Sequence, residues 1–121
     1  MSPDPNDLLA QQLQQLRLEY LHDSTARIDE LRQLRDRLAS EGRATLTAFR
    51  QAFHRLAGSG GSYGFPDVSS HSREGERLVM NLESPGAELT PADLTALDQC
   101  IDGVATAFSA AKKALRSPGM G

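Results

Sequence analysis

Apolar side chains recur three and four residues apart along most of this 121-residue sequence, which is the spacing of one face of an α-helix. No segment alternates apolar and polar residues as a half-buried β-strand would. The sequence therefore predicts an all-α protein. Because short polar connections between long amphipathic helices favour antiparallel neighbours, we expect an up-down four-helix bundle whose N-terminal helix is interrupted.

The apolar stripes define the expected helices. They comprise Leu9, Leu13, Leu16, Tyr20 and Leu21, then Ile28, Leu31, Leu34 and Leu38, then Leu46, Phe49, Phe53 and Leu56, then Val68, Leu78, Val79 and Leu82, and finally Leu94, Leu97, Ile101, Val104, Phe108 and Leu115. Glycine, proline and short polar residues set the boundaries between them. In chain order we expect a break at Asp23-Ser24, a cap at Gly42, a helix end near Gly64-Phe65-Pro66, a helix from Ser69 or Ser70 to about Leu82, and a helix start at Thr90-Pro91-Ala92-Asp93.

Length and composition bound what the chain can be. Residues 1–121 fit one domain, with a core of about residues 6–116 and loose tails. A net charge of −3 and the absence of tryptophan argue against a nucleic-acid partner. No apolar run is long enough for a membrane helix, and Cys100 is the lone cysteine, which fits a reducing compartment. We therefore expect a cytoplasmic protein. A monomer is the default expectation, although a bundle with spare apolar surface could dimerise.

His54 precedes the most unusual segment of the chain, in which four glycines fall within the seven residues from Gly58 to Gly64. Each glycine costs a helix interior about 1 kcal/mol relative to alanine, so this run favours a functional reason. At about 100° per residue, His54 lies roughly 120° from the centre of its apolar stripe and is expected to reach solvent. Gly58 and Gly61 follow it on the same face and leave an open patch around the ring.

The chemistry of an exposed imidazole suits phosphoryl transfer, because the neutral ring is a nucleophile near pH 7. Arg50 lies one turn before His54 and is placed to pair with a phosphoryl group on the ring. Gln51 is placed to hold one ring nitrogen by a hydrogen bond. Arg55 is a second cation, although it is turned about 100° away. Arg50 and Gln51 each also have a plain interpretation as solvated surface residues.

The segment Phe53-His54-Arg55-Leu56-Ala57-Gly58-Ser59-Gly60-Gly61-Ser62-Tyr63-Gly64-Phe65 resembles the motif of histidine-containing phosphotransfer (Hpt) domains. That motif reads His-x-Leu-Lys-Gly-small-small followed by a further glycine. The resemblance implies a four-helix phosphocarrier, not an enzyme, in which His54 accepts a phosphoryl group from a receiver phosphoaspartate and passes it to another receiver. Docking would use an open face that carries Gly58, Ser59, Gly61, Tyr63 and Gly64.

The resemblance also implies which partners and cofactors take part. Response regulator receiver domains are the expected partners, with a hybrid histidine kinase as a further candidate. The receiver supplies the acidic pocket and its Mg²⁺, so no cofactor is expected on this chain.

One residue departs from the family pattern. Ala57 stands where the family commonly has a lysine that helps to neutralise the phosphoryl group. Either Arg50 or Arg55 substitutes for it, or phosphohistidine is less stabilised here, or the domain binds receivers without carrying phosphate. The alternative function is therefore a non-phosphorylated receiver-binding adaptor or inhibitor of the same fold.

Other classes of site lack their sequence signals. The glycine-rich run has no Gly-Lys-Ser/Thr and no G-x-G-x-x-G, which excludes both common nucleotide loops. His22, His54 and His71 are scattered without metal-ligand spacing, so no metal site is expected. A hydrolase triad built on Ser59 or Ser62 has no partners that the sequence indicates.

Overall fold

The computed structural model describes residues 4–116, and every secondary-structure element in that range is helical. The elements are α1 (Pro5–His22), α2 (Ser24–Glu41), a 3₁₀ turn (Gly42–Thr45), α3 (Leu46–Ser62), α4 (Pro66–Glu83) and α5 (Pro91–Arg116). The all-α prediction is confirmed over these residues. None of the helices described combines the length and the hydrophobicity needed to cross a membrane. The predicted loose tails fall largely outside the described range.

The helices pack around one hydrophobic core. The most extensive interface joins α3 to α4, α4 also packs on α5, and α2 contacts both α3 and α5. Helices α2 to α5 thus contact one another in a closed ring. The largest fully buried apolar side chains are Phe49, Phe53, Phe108, Leu31, Leu38, Leu97, Ile101, Val68, Val79 and Val104. All of them belong to the stripes that the sequence predicts.

Several predicted boundaries are confirmed by their capping geometry. The break between α1 and α2 falls at Asp23, and Gly42 ends α2 with a φ of 67°. At the start of α5, the Asp93 carboxylate accepts a hydrogen bond from the Thr90 backbone N–H at 2.9 Å. The Thr90 hydroxyl oxygen accepts one in return from the Asp93 N–H at 3.2 Å. This reciprocal pair is a capping box, and it confirms the helix start that the sequence predicts at Thr90.

The connection between α3 and α4 is shorter than expected. Helix α3 ends at Ser62, and α4 begins at Pro66 instead of at Ser69 or Ser70. Proline fits the first turn of a helix, where its missing N–H has no partner to lose. Gly64 makes the reversal possible because its φ is 82°, a conformation that residues with a Cβ rarely adopt. The short loop fixes the register of the α3–α4 hairpin.

Helix α1 differs from its predicted role. Leu9, Leu13 and Leu16 belong to the predicted apolar stripe, yet they are exposed, Leu9 by 63%. Burial in α1 begins only at Tyr20 and Leu21. The reason is geometric, because α1 makes few contacts with α2 and α5.

Cys100 is buried in the core, and burial raises the pKa of its thiol. Since the thiolate is the reactive form, iodoacetamide at pH 8 is expected to alkylate Cys100 roughly tenfold more slowly in the folded protein than in urea. Mass spectrometry of timed samples measures both rates. Equal rates would contradict the buried environment of the thiol.

Candidate functional site

The site lies on the hairpin of α3 and α4, where glycines allow the two helices to approach closely. A Cβ on Gly60 would lie 2.9 Å from Val68 Cγ1 and 3.0 Å from the Ser69 backbone nitrogen. A Cβ on Gly75 would run into the ring of Phe53. Part of the glycine-rich run therefore serves helix packing. At Gly58, by contrast, an added Cβ would meet nothing within 4 Å, so this face of α3 is open.

His54 projects from α3 beside that open position, with 73% of its side chain exposed. Its Nδ1 lies 3.0 Å from Oε1 of Glu76 on α4, and the Glu76 side chain is only 20% exposed. A carboxylate accepts hydrogen bonds, so Nδ1 is the donor and carries the proton. In the neutral ring, Nε2 then keeps its lone pair. The contact with Glu76 thus defines which ring nitrogen can act as a nucleophile.

The residues predicted to flank the ring have other partners. Arg50 Nε donates to Glu83 Oε1 at 2.6 Å, and Arg55 Nη2 donates to Glu30 Oε1 at 2.8 Å. Both cations are therefore directed towards carboxylates on α4 and α2. Gln51 is exposed, and the hydrogen bond to the ring comes from Glu76 instead.

The predicted docking residues divide into two groups. Gly58, Gly61 and Gly64 are exposed. Ser59 Oγ instead forms a hydrogen bond of 2.6 Å with the hydroxyl of Tyr20 on α1, and the rings of Tyr63 and Tyr20 stack with centroids 4.7 Å apart.

Burial raises the pKa of Tyr20. A cleft of about 280 Å³ lies at this junction and is lined by Leu16, Glu19, Tyr20, Asp23, Arg27, Ser59 and Tyr63.

The three histidines have different surroundings. His22 ends α1, whereas the ring of His71 lies against Gly103 of α5. Within residues 4–116, no group of three or more histidine, cysteine or acidic side chains is placed to hold a metal ion. The only one of the three that contacts a carboxylate in this range is His54.

The sequence analysis does not single out Glu76, the hydrogen-bond partner of His54. A short turn between two antiparallel helices brings residues at similar distances from it to similar levels of the hairpin. His54 precedes Gly64 by ten residues, whereas Glu74 follows it by ten and Glu76 by twelve, so a count from the turn leaves both glutamates as candidates.

A comparison with protein families identifies the class. A sequence model of the Hpt domain matches residues 15–107, a range that includes both His54 and Glu76. The match covers most of the chain, so the protein belongs to the Hpt domain family, as the sequence motif predicted. Hpt domains are phosphocarrier modules of two-component phosphorelays and interact with receiver domains of response regulators. Comparisons with curated proteins and with solved structures gave no match.

Proposed function

We propose that the protein is a phosphorelay intermediate whose His54 takes a phosphoryl group from the phosphoaspartate of one receiver and passes it to the aspartate of another. The observation that carries this proposal is the hydrogen bond between His54 Nδ1 and Glu76 on an exposed ring. In the neutral ring this bond leaves Nε2 with its lone pair, on a side chain that is largely exposed. A surface histidine without such a partner would exchange freely between its two neutral forms.

The transfer follows from this arrangement. The Nε2 lone pair of His54 attacks the phosphorus in line, the phosphorus–oxygen bond to the aspartate breaks, and its electron pair leaves with the carboxylate. The phosphorylated ring keeps its Nδ1 proton and becomes cationic, and the Glu76 carboxylate stabilises that charge. In the onward step an aspartate oxygen attacks the phosphorus, and the electron pair of the broken phosphorus–nitrogen bond returns to Nε2.

The partners complete the site. The receiver supplies the acidic pocket and the Mg²⁺ that offsets the charge on the transferring group, while this chain supplies the nucleophile and a docking face. The exposed glycines Gly58, Gly61 and Gly64 form that face, with the cleft at Ser59 and Tyr63 beside it. A hybrid histidine kinase is a further candidate partner. We propose that the domain acts as a monomer in the cytoplasm.

The architecture belongs to the same proposal. We infer an antiparallel up-down bundle of four helices, with the first helix interrupted at Asp23. The closed ring of contacts among α2, α3, α4 and α5 supports this bundle, and so does the short α3–α4 turn. In this description α1 is the interrupted extension that precedes α2.

A receiver-binding adaptor remains the second candidate. Ala57 favours it, and so do the ion pairs that engage Arg50 and Arg55, since a phosphoryl group on His54 would find neither cation free. An adaptor needs the docking face but not the nucleophile. The orientation of His54 by Glu76 supports the phosphocarrier instead.

The two functions separate in one experiment. Receiver domains from the same organism are phosphorylated, mixed one by one with the protein, and sampled over seconds for label and for complex formation. The phosphocarrier predicts rapid, acid-labile labelling by one or two receivers and label that moves on to another. Receivers that bind without transferring label would establish the adaptor.

Removal of the Glu76 carboxylate tests the orientation of the ring. Glu76→Ala is expected to slow phosphotransfer about 10- to 100-fold, because the Nδ1 proton is no longer held and the cationic ring loses its counter-charge. Glu76→Gln should slow phosphotransfer less than Glu76→Ala, since the amide oxygen of glutamine still accepts a hydrogen bond from the Nδ1 N–H. Rapid-quench kinetics with one labelled receiver measure both variants.

Glu74→Ala is the matched control for Glu76→Ala. Glu74 lies on the same helix but is turned about 200° away, and it is paired with Arg77. Its transfer rate should stay within about twofold of wild type. If Glu76→Ala transfers phosphate as fast as Glu74→Ala, the proposal that Glu76 orients the ring is contradicted.

A further inference from the structure

Ala57 occupies the place of the family's lysine, and the structure indicates where that place faces. Ala57 is only 6% exposed, and its carbonyl oxygen accepts a hydrogen bond from the Ser69 hydroxyl of α4 at 2.8 Å. This position on α3 therefore lies against α4. A cation that replaces the lysine would most directly come from α4.

The register of α4 selects one residue. Ser69 contacts Ala57, and Glu76 contacts His54. Arg73 lies four residues after Ser69 and three before Glu76, so it is one turn from each and on the same flank of the helix. Arg73 therefore lies on α4 between Ser69, which contacts Ala57, and Glu76, which contacts His54. Its side chain is exposed.

The charges around the site distinguish Arg73 from its neighbours. Arg50 pairs with Glu83, Arg55 pairs with Glu30, and Arg77 pairs with Glu74. Across residues 4–116, Arg73 makes no ion pair within 4 Å, unlike those three arginines. Its guanidinium is free to meet an incoming anion.

Space is also available beside the ring. Gly58 lies one turn after His54 on α3, and an added Cβ there would meet nothing within 4 Å. The missing side chain at Gly58 therefore leaves room beside His54 for a guanidinium from α4.

We propose that Arg73 is the cation that holds the phosphoryl group on His54, so that a charge on α4 replaces the lysine absent from α3. This inference rests on the proposed phosphotransfer function. The planar guanidinium donates two hydrogen bonds to phosphoryl oxygens, a geometry that matches a phosphate better than a single ammonium does. It makes and breaks no covalent bond, and it stabilises phosphohistidine against loss of the group.

The test uses a small phosphodonor and therefore needs no receiver. The full chain is loaded with potassium phosphoramidate, the donor is removed, and ³¹P NMR follows the decay of phosphohistidine at neutral pH. Arg73→Gln is expected to shorten the lifetime about tenfold, and Arg73→Lys to restore part of it. The phosphoryl ionisation should also move to higher pH in Arg73→Gln, which a purely structural change would not cause.

Arg77→Gln is the matched control, since Arg77 lies on the same helix and is already paired with Glu74. Its phosphohistidine should decay at the wild-type rate. A lifetime for Arg73→Gln within twofold of wild type would overturn the inference, and so would equal shortening in Arg77→Gln.

The outcomes also separate this inference from the proposed function. If phosphoramidate labels His54 with the expected dependence on Arg73 but no receiver transfers to it, only the proposed function fails. If receivers transfer normally and Arg73→Gln has no effect on lifetime, only the inference about Arg73 fails. A chain that takes no label from either donor overturns both.

Discussion

His54→Gln is expected to accept no phosphoryl group from any receiver, with transfer reduced about a thousandfold or more. The glutamine side chain has no nucleophilic nitrogen, because its amide lone pair is delocalised into the carbonyl. Its NH₂ can still donate to Glu76, so the local contact is conserved better than by alanine. His54 is largely exposed, and the variant should unfold at nearly the wild-type temperature.

His22→Gln and His71→Gln serve as controls for this loss. Both histidines lie away from the Glu76 carboxylate, and neither is expected to carry label. Transfer is followed by acid-labile radioactivity on native gels, with circular dichroism to check folding. Label retained in His54→Gln but lost in either control would place the acceptor elsewhere.

Gly75→Ala is expected to destabilise the protein by about 1–3 kcal/mol, although alanine is the better helix former. The added Cβ enters the space that the Phe53 ring fills, and Phe53 is fully buried between α3 and α4. The ring cannot move without opening the core. Urea unfolding followed by circular dichroism gives the free energy of unfolding.

Gly58→Ala is the matched substitution on the same hairpin. Its Cβ meets no atom within 4 Å, so the higher helix propensity of alanine should stabilise the fold by up to about 1 kcal/mol. The two changes are thus expected to differ in sign. Replacing Phe53 by leucine should lessen the cost of Gly75→Ala in a double-mutant cycle. Equal effects at Gly58 and Gly75 would contradict the close packing of α3 on α4.

The sequence predicts most of the fold because helical periodicity and capping residues are local signals. The stripe through Phe49 and Phe53, the break at Asp23 and the capping box at Thr90 all depend on neighbours within a few residues. The exposure of Leu9 was not predictable in this way. Periodicity shows that a helix has an apolar face, but it does not show whether another helix covers that face.

The site shows the same division between local and long-range information. The exposure of His54 follows from its angle to the apolar stripe, which is a local property. The pairing of Arg50 with Glu83 and of Arg55 with Glu30 depends on helices distant in sequence. The sequence pattern around His54 therefore could not show that these two arginines already have carboxylate partners. A count of residues from the Gly64 turn brings both Glu74 and Glu76 near the level of His54, and only the packing of α3 on α4 selects Glu76.

Identification of the phosphorylated atom is the most direct test of the proposed phosphotransfer mechanism. The protein is labelled with ¹⁵N on histidine, phosphorylated by an active receiver and examined by ¹H–¹⁵N and ³¹P NMR. The proposed mechanism predicts phosphorus on Nε2 of His54, with the Nδ1 proton retained and hydrogen-bonded to Glu76. Phosphorus on Nδ1, phosphorus on another histidine, or a receiver that binds without transferring phosphorus would contradict it.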